Sequence, residues 1–212
     1  MKVLNLYAGI GGNRKLWDNV EVTAVELDPI IAGIYQDFFP EDTVIIGDAH
    51  KYLEDNYLEF DFIWASPPCP SHSKIRAELG VGSGQNKAIF PKMMLYEEII
   101  FLDYYFKGQY CVENVVSYYD PLVRPQLVGN HYLWANFLIT EYRTKSRNHH
   151  GTINGLEDRK GFDLSNYTGI DKRKILRNCV EPELGKHVLK CSRGNTQQSL
   201  TAFSKRVRIN DP

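Results

Sequence analysis

Two side chains with the chemistry of catalysis stand at the ends of short apolar runs. Cys69 follows the run 60–65 in a turn framed by prolines, and Glu113 follows Tyr110–Val112. Both runs are rich in β-branched and aromatic residues and end in turn formers, so each predicts a buried strand. A thiol and a carboxylate at two strand ends suit attack on a heteroaromatic ring, in which the sulfur adds to the ring and the acid protonates or holds a ring nitrogen.

Strands and helices alternate along most of the chain. Besides the two runs above, strands are predicted at Val3–Tyr7, Val22–Glu26, Thr43–Ile46 and 132–139. Helices are predicted through Lys15 to Trp17, over Pro29–Phe38 and over 87–106, with a mobile loop over 71–86. This alternation predicts an α/β fold, a Rossmann-like doubly wound and mostly parallel sheet that binds ligands at the carboxyl ends of its strands.

A glycine-rich turn and two acids at that edge indicate a nucleoside-containing cofactor. The turn Tyr7-Ala8-Gly9-Ile10-Gly11-Gly12 follows the first strand, where glycines let a ligand approach the backbone. Glu26 ends the second strand, where an acid can bind both ribose hydroxyls, and Asp48 ends the third, where it can accept from an adenine amino group. We assign their neighbours Leu27, Ala49 and Pro67 to the same site. Asp28 and Asp48 can equally serve as helix caps.

The small net charge of −1 conceals two regions of opposite sign. Residues 1–141 contain 10 basic and 19 acidic residues, a charge of −9, whereas residues 142–212 contain 15 basic and 7 acidic residues, a charge of +8. We therefore expect a catalytic and cofactor-binding domain at 1–140 and a small basic C-terminal appendage at 141–212 that contacts a polyanion. The alternative is a solvated basic face.

The ordered set of motifs resembles the DNA (cytosine-5) methyltransferases. The set consists of Leu6–Gly12, Glu26, Gly47-Asp48-Ala49, Ser66-Pro67-Pro68-Cys69 with Ser73 beyond it, and Glu113-Asn114-Val115. The segment 131–137 is similar to the branch that contains phage enzymes and the eukaryotic de novo methyltransferases. The resemblance covers roughly residues 1–140 and implies the class I methyltransferase fold, with S-adenosylmethionine as methyl donor and S-adenosylhomocysteine as product.

The resemblance also implies a mechanism. Cys69 adds to carbon 6 of cytosine, Glu113 acts through ring nitrogen 3, and carbon 5 then attacks the methyl group. Ser73 belongs to the same catalytic loop. Lys74 and Arg76 follow it, and we expect them to favour the Cys69 thiolate and to contact nucleic acid. A cytosine in a duplex must flip out of the stack to reach such a pocket.

Two departures from the family pattern matter for the site. The family's Gln-x-Arg-x-Arg segment falls on Gly129-Asn130-His131, where no arginine occurs. We expect His131 either to replace the arginine that holds the carbonyl of the base or to be a strand-entry histidine paired with a backbone carbonyl. The family's closing Gly-Asn-Ser-Val-x-Val-Pro-like motif is matched only in part, by Arg193–Leu200. This partial match assigns Asn195 to the cofactor site.

Residues 140–190 leave room for only a small target-recognition element, which indicates a short site in double-stranded DNA. The basic residues expected to contact phosphates are Arg143, Lys145, Arg147, Lys172, Arg173, Lys174 and Arg177. An RNA (transfer RNA) cytosine-5 methyltransferase or an inactive nucleic-acid-binding paralogue would share these motifs. The sequence leaves both open, as it does the oligomeric state.

Cysteine spacing and apolar runs limit which cofactor and which cellular location we expect. The four cysteines lack the spacing of metal ligands, so we expect no metal. No apolar run is long enough for a membrane span, and the first residues enter a strand-like pattern rather than a signal peptide. We expect an intracellular protein, in the cytoplasm of a bacterium or a phage-infected cell.

Overall fold

Seven strands form one sheet in the computed structural model, which describes residues 1–142 and 152–194. They are β1 (Lys2–Leu6), β2 (Glu21–Glu26), β3 (Thr43–Ile46), β4 (Phe62–Ala65), β5 (Gln109–Val115), β6 (Gln126–Val128) and β7 (His131–Ala135). Their order in the sheet is β3-β2-β1-β4-β5-β7-β6. The first five run parallel, and β7 runs antiparallel to both of its neighbours. The predicted doubly wound, mostly parallel sheet is therefore confirmed.

Within the described ranges, six α-helices connect and cover the strands. They are α1 (Pro29–Phe38), α2 (Ala49–Asn56), α3 (Met94–Tyr105), α4 (Ile153–Lys160), α5 (Lys172–Asn178) and α6 (Pro182–Gly194), with a 3₁₀-helix at Tyr57–Glu59 and a π-helix at Arg76–Val81. Asp28 begins α1 by accepting from the backbone N–H of Ile30 at 2.8 Å. Asp48 begins α2 in the same way, accepting from the N–H of His50 at 2.9 Å. Both acids cap helices, the alternative that the sequence left open.

Helices cover both faces of the sheet because its buried residues alternate between the two sides. Side chains such as Leu4 and Ile63 pack with α3 on one face. Neighbours of opposite orientation, such as Val3 and Trp64, pack with α6 on the other. The side chains of α6 that enter this second cluster are Leu184, Val188 and Leu189. Each contributes about 1.5–3 kcal/mol of burial, so the C-terminal helix completes the core of the sheet.

Two predicted helices differ from the observed ones. Residues 11–17 form turns rather than a helix through Lys15 to Trp17, because Gly11 takes a left-handed φ of +82° that ends any helical path. The helix predicted over 87–106 begins only at Met94. Pro91 disfavours the helical conformation at Phe90, so the helix begins only after it, and residues 87–92 form no regular element.

Two other local predictions are also wrong. The predicted loop 71–86 contains the π-helix, and the bond from the N–H of Gly82 to the carbonyl of Ala77, at 3.3 Å, continues its i to i−5 pattern. The strand predicted over 132–139 ends at Ala135. It ends there because Asn136 turns its side chain to the neighbouring strand, accepting from the N–H of Tyr110 at 3.2 Å.

Candidate active site

Cys69 lies just beyond β4, in a loop that the neighbouring strand end holds in place. Asn114 donates its side-chain amide to the carbonyl of Pro67 at 2.9 Å, which ties the proline turn to the end of β5. The carbonyl of Cys69 accepts from the N–H groups of His72 and Ser73, at 2.9 and 3.1 Å. The thiol is partly buried. The predicted delivery of a cysteine to the carboxyl edge of the sheet is what the structure shows.

Backbone pairing then fastens the loop after Cys69 to the chain that leaves β5. Ser73 forms a β-bridge with Ser117, and the N–H of Lys74 donates to the carbonyl of Val116 at 3.3 Å. Ser73 also accepts at its hydroxyl from the N–H of Arg76, at 3.2 Å, and so starts the helical turn that follows. Ser73 thus has a structural role in the loop, and the loop lies across the strand that carries Glu113.

Glu113 and His131 form a close pair on adjacent strands. Glu113 pairs in register with Leu133 of β7, and His131 lies two residues before Leu133, so both side chains point to the same face. His131 Nδ1 is 2.6 Å from Glu113 Oε1, and the glutamate is buried. Burial disfavours the imidazolium, but the hydrogen bond and the charge of Glu113 outweigh it and raise the pKa of His131. His131 therefore pairs with a carboxylate, and the alternative of a backbone carbonyl partner is not what is observed.

The charge of Glu113 also reaches the thiol. Burial, and next the negative charge of Glu113, raises the pKa of Cys69 above its usual value. The two side chains therefore lie within electrostatic reach of each other at one edge of the sheet. Lys74, expected to favour the thiolate, instead has its Nζ 3.6 Å from Glu78 Oε1. In this arrangement burial and the charge of Glu113 both disfavour the thiolate of Cys69.

The three glycines of the turn after β1 have different environments. Gly9 has a left-handed φ of +55°, and a Cβ there would meet nothing within 4 Å. A Cβ on Gly11 would lie 2.3 Å from the ring of Phe39, and one on Gly12 would lie 2.3 Å from both Cys179 Sγ and the carbonyl oxygen of Val180. Gly11 and Gly12 are therefore required by packing within the protein, and Gly9 faces the open space that a ligand would enter.

The acids at the ends of β2 and β3 shape this turn. Glu26 Oε2 accepts from the N–H of Gly9 at 2.9 Å, and its Oε1 accepts from the N–H of Asp28 at 3.0 Å. Asp48 uses Oδ1 for both of its capping bonds and is exposed. Each carboxylate oxygen has more than one acceptor site, so both acids can hold the backbone and a ligand at once. Leu27 is exposed beside them, whereas Ala8, Ile10, Ala49 and Pro67 are buried.

Comparison with known proteins agrees with this geometry. Residues 1–100 match the family model described as C-5 cytosine-specific DNA methylase. The resemblance to the cytosine-5 methyltransferases is confirmed over this part of the chain. No curated protein matches the chain.

Solved structures extend the likeness in fold. The methyltransferase EhMeth of Entamoeba histolytica is 12% identical, with 91% of this chain and 97% of that chain covered, at a TM-score of 0.56. A DNMT2 variant from Spodoptera frugiperda is 22% identical over 54% of this chain and 35% of its own, at a TM-score of 0.37. The first comparison shows that the protein shares a methyltransferase's fold over nearly the full length of both chains.

The segment 179–185 packs against the glycine turn after β1. Cys179 and Val180 pack on Gly12, and a Cβ on Gly185 would lie 2.2 Å from the backbone oxygen of Asn13. Arg193, the first residue of the segment assigned to the closing motif, binds Asp18, Nη1 to Oδ1 at 2.7 Å. Asn195 lies outside the described residues, so its assignment to the cofactor remains a prediction.

The basic residues assigned to nucleic acid lie in three parts of the chain. Lys172, Arg173, Lys174 and Arg177 lie on α5, where Lys172 is partly exposed and the other three are exposed. Arg143, Lys145 and Arg147 lie outside the described residues. Arg76 is partly exposed at the start of the π-helix. The described ranges hold no cluster of three His, Cys, Asp or Glu side chains able to bind a metal ion, and none of their helices is long and apolar enough to cross a membrane.

Proposed function

We propose that this protein transfers a methyl group from S-adenosylmethionine to carbon 5 of cytosine in DNA through a covalent adduct at Cys69. The observation that carries the proposal is the meeting of three groups at one edge of the sheet. The Cys69 loop is bridged to the end of β5, Glu113 lies on that strand, and His131 binds Glu113 from β7. A family model for C-5 cytosine-specific DNA methylases also matches the part of the chain that contains Cys69.

The residues present fit an adenosyl cofactor. Gly9 opens the backbone beside Glu26, whose carboxylate is placed for ribose hydroxyls, and Asp48 is exposed at the next strand end. Leu27 and Ile46 are exposed apolar side chains at the ends of β2 and β3, which suits the flat face of a purine. When bound, S-adenosylmethionine supplies an electrophilic methyl group.

The protein's own groups account for the activation of cytosine. The sulfur of Cys69 adds to carbon 6 and turns carbon 5 into the nucleophilic end of an enamine. Glu113 holds ring nitrogen 3, and His131 donates toward the ring carbonyl, as the missing arginine would. After carbon 5 is methylated, loss of its proton to a base and elimination restore the thiol of Cys69 and the aromatic ring.

The resting charges of these groups suggest how the thiolate forms. The raised pKa of His131 favours its protonated form, so the His131–Glu113 pair can supply a proton. Moving that proton from the pair to nitrogen 3 would neutralise charge developing on the ring. Substrate binding at Glu113 would also screen the negative charge that raises the pKa of Cys69. Activation of Cys69 would then require the bound base. This dependence would protect the thiol between turnovers.

Binding to DNA would use the exposed basic residues of α5, with Lys74 and Arg76 beside the site. A duplex substrate requires the target base to flip, and the small recognition region favours a short site.

The test is incubation of the full chain with radiolabelled S-adenosylmethionine and matched DNA and RNA oligonucleotides. We expect label on cytosine in DNA, and 5-fluorocytosine in the target should trap an adduct on Cys69, seen by mass spectrometry. Label on RNA alone would show that RNA and not DNA is the substrate. Absence of label and adduct with every nucleic acid, despite binding of S-adenosylhomocysteine, would reject the enzyme and leave a binding protein.

A further inference from the structure

A buried carboxylate lies behind the proposed cofactor site, on the face covered by α3. Glu98 is fully buried in that helix, among the apolar residues of the core. Its Oε1 accepts a short hydrogen bond from the hydroxyl of Tyr7 and lies 3.1 Å from Nδ1 of His50. Burying a carboxylate costs free energy unless its oxygens are bonded. Yet Oε2 of Glu98 has no hydrogen-bond partner among the residues that the structure describes.

The two partners of Glu98 belong to two different walls of the site. Tyr7 leaves β1 and enters the glycine turn with a left-handed φ of +56°, which is rare for a residue other than glycine. His50 lies in the first turn of α2, next to the cap Asp48. One oxygen therefore ties the turn beside Gly9 to the start of the helix beside Asp48, and holds Tyr7 in an unfavourable backbone conformation.

A second buried tyrosine–carboxylate pair in the same domain has the features of a purely structural pair. Asp42 accepts from the hydroxyl of Tyr35 at 2.8 Å, and Arg14 binds both of its oxygens, at 2.8 and 3.0 Å. That carboxylate has a cationic partner and both oxygens are satisfied. Among the described residues Glu98 has no arginine or lysine partner, only His50, which is cationic when protonated, and its Oε2 has no hydrogen-bond partner. Its arrangement is therefore costly for folding and calls for a functional reason.

We propose that Glu98 is a positioning residue for the adenosyl cofactor, which holds Tyr7 and His50 in the geometry that the cofactor requires. The inference rests on the proposed function, because it assigns the residue to the same cofactor site. Tyr7 contributes its ring and the backbone before Gly9, and His50 fixes the helix start that presents Asp48. Glu98 acts through these neighbours and does not touch the cofactor itself.

The proposal gives the affinity for cofactor a defined dependence on pH. The groups that face Glu98 are Tyr7 from β1, and His50 and Asp48 from α2; Glu97 of α3 faces His50, with 3.9 Å between Oε2 and Nε2. Burial raises the pKa of Glu98 above its usual value. The ionised carboxylate makes the stronger bonds to Tyr7 and His50. As the pH falls through the raised pKa, a proton settles on the unpartnered Oε2 and affinity for the cofactor decreases.

Folding stability should depend on pH in the opposite direction from cofactor affinity. This difference separates a positioning role for Glu98 from a purely structural one. A carboxyl whose pKa is raised in the folded state stabilises the protein below its unfolded pKa, and that contribution is lost as the pH rises. Replacing Glu98 with glutamine removes the burial of charge at neutral pH. The variant should therefore melt at the same temperature as wild type or higher, while it binds cofactor less tightly.

The experiment measures the Kd of S-adenosylhomocysteine by calorimetry between pH 5 and 9, together with Tm, for wild type and three variants of the full chain. Glu98→Gln should bind S-adenosylhomocysteine about ten-fold more weakly at pH 8, because it loses one charge-assisted hydrogen-bond pair. Its Kd should not change with pH. Tyr7→Phe should bind equally weakly, and the double variant no more weakly than either. In turnover, Glu98→Gln should raise the KM for S-adenosylmethionine and leave kcat unchanged.

Asp42→Asn is the matched control, since it removes the other tyrosine-bound carboxylate. It should lower Tm and keep the pH dependence of binding. Wild-type affinity in Glu98→Gln at every pH, or an equal loss of pH dependence in Asp42→Asn, would overturn the proposal. A wild-type protein that binds no S-adenosylhomocysteine would reject the proposed function first and this inference with it.

Discussion

The proposed reaction region and the proposed cofactor region lie at the same edge of the sheet but are built differently. In the reaction region, where β4, β5 and β7 meet, Glu113 binds another side chain, His131, at 2.6 Å. In the cofactor region, where β1, β2 and β3 end, Glu26 binds backbone N–H groups at 2.9 and 3.0 Å. One carboxylate is placed to exchange a proton, and the other fixes the shape of a turn. Substitutions in the first should therefore affect the rate of reaction, and those in the second the affinity or stability.

The largest effect is expected from Cys69→Ser in the reaction region. A serine hydroxyl is a much weaker nucleophile, so methyl transfer should fall by about 10⁴-fold or more. Radiolabel transfer to DNA gives the rate, and 5-fluorocytosine should no longer trap an adduct. Binding of S-adenosylhomocysteine should be unchanged, as expected for a change confined to that region. Transfer retained near the wild-type rate would refute the assignment of the nucleophile.

A smaller loss is expected when the His131–Glu113 pair is broken. His131→Ala and Glu113→Gln should each reduce kcat by about 10²–10³-fold, the range for losing an acid–base or charge-stabilising group. The raised pKa of His131 means that its cation persists above its usual range, so wild-type activity should decrease as the pH rises through that value. In His131→Ala this alkaline decrease should disappear. A wild-type rate profile that is flat from pH 6 to 9 would contradict a role for the imidazolium.

Two alanine substitutions in the glycine turn test the cofactor region. Gly12→Ala places a Cβ against Cys179 and Val180, so it should destabilise the protein by about 1–3 kcal/mol and lower Tm. Gly9→Ala meets no atom but keeps a left-handed φ, which costs about 1–2 kcal/mol. Gly9→Ala should weaken binding of S-adenosylhomocysteine more than Gly12→Ala does. The reverse ranking of affinities would show that the ligand does not enter beside Gly9.

The smallest effect is expected on α5, whose exposed basic residues are proposed to contact phosphates and not the reacting base. Lys174→Ala should weaken DNA binding about equally for all sequences and reduce the slope of log Kd against log salt by about 0.9, the value for one phosphate contact. Fluorescence anisotropy at several salt concentrations measures this slope. Lys107→Ala, an exposed lysine in the acidic region, is the control and should leave the slope unchanged. Equal slopes for both variants would show that Lys174 of α5 does not contact nucleic acid.

The sequence predicts the parts of the site that local patterns specify. Cys69 and Glu113 could be placed because each ends a short apolar strand, and strand ends meet at one edge in a parallel sheet. The bond between Glu113 and His131 was not predicted, because it depends on the antiparallel register of β7. Register between distant segments is set by tertiary packing, which no local pattern encodes.

Two further features were missed for different physical reasons. Glu98 has the sequence environment of an ordinary helical acid, and only the packing of α3 on the sheet reveals that it is buried. The packing of Cys179 on Gly12 was missed because no local pattern links a cysteine near the end of the described chain to the glycine turn after β1. In both cases the decisive contact joins segments that are far apart in sequence.

The contact of Gly185 with Asn13 also has a consequence for how the protein folds. A turn near the amino end is completed by a helix near the end of the described chain, so the two must find each other across most of the sequence. Folds dominated by such long-range contacts acquire their native structure slowly. During synthesis, the early strands would exist before α6 emerges to cover their second face. The glycine turn proposed to bind the cofactor would thus stay incomplete until α6 has left the ribosome.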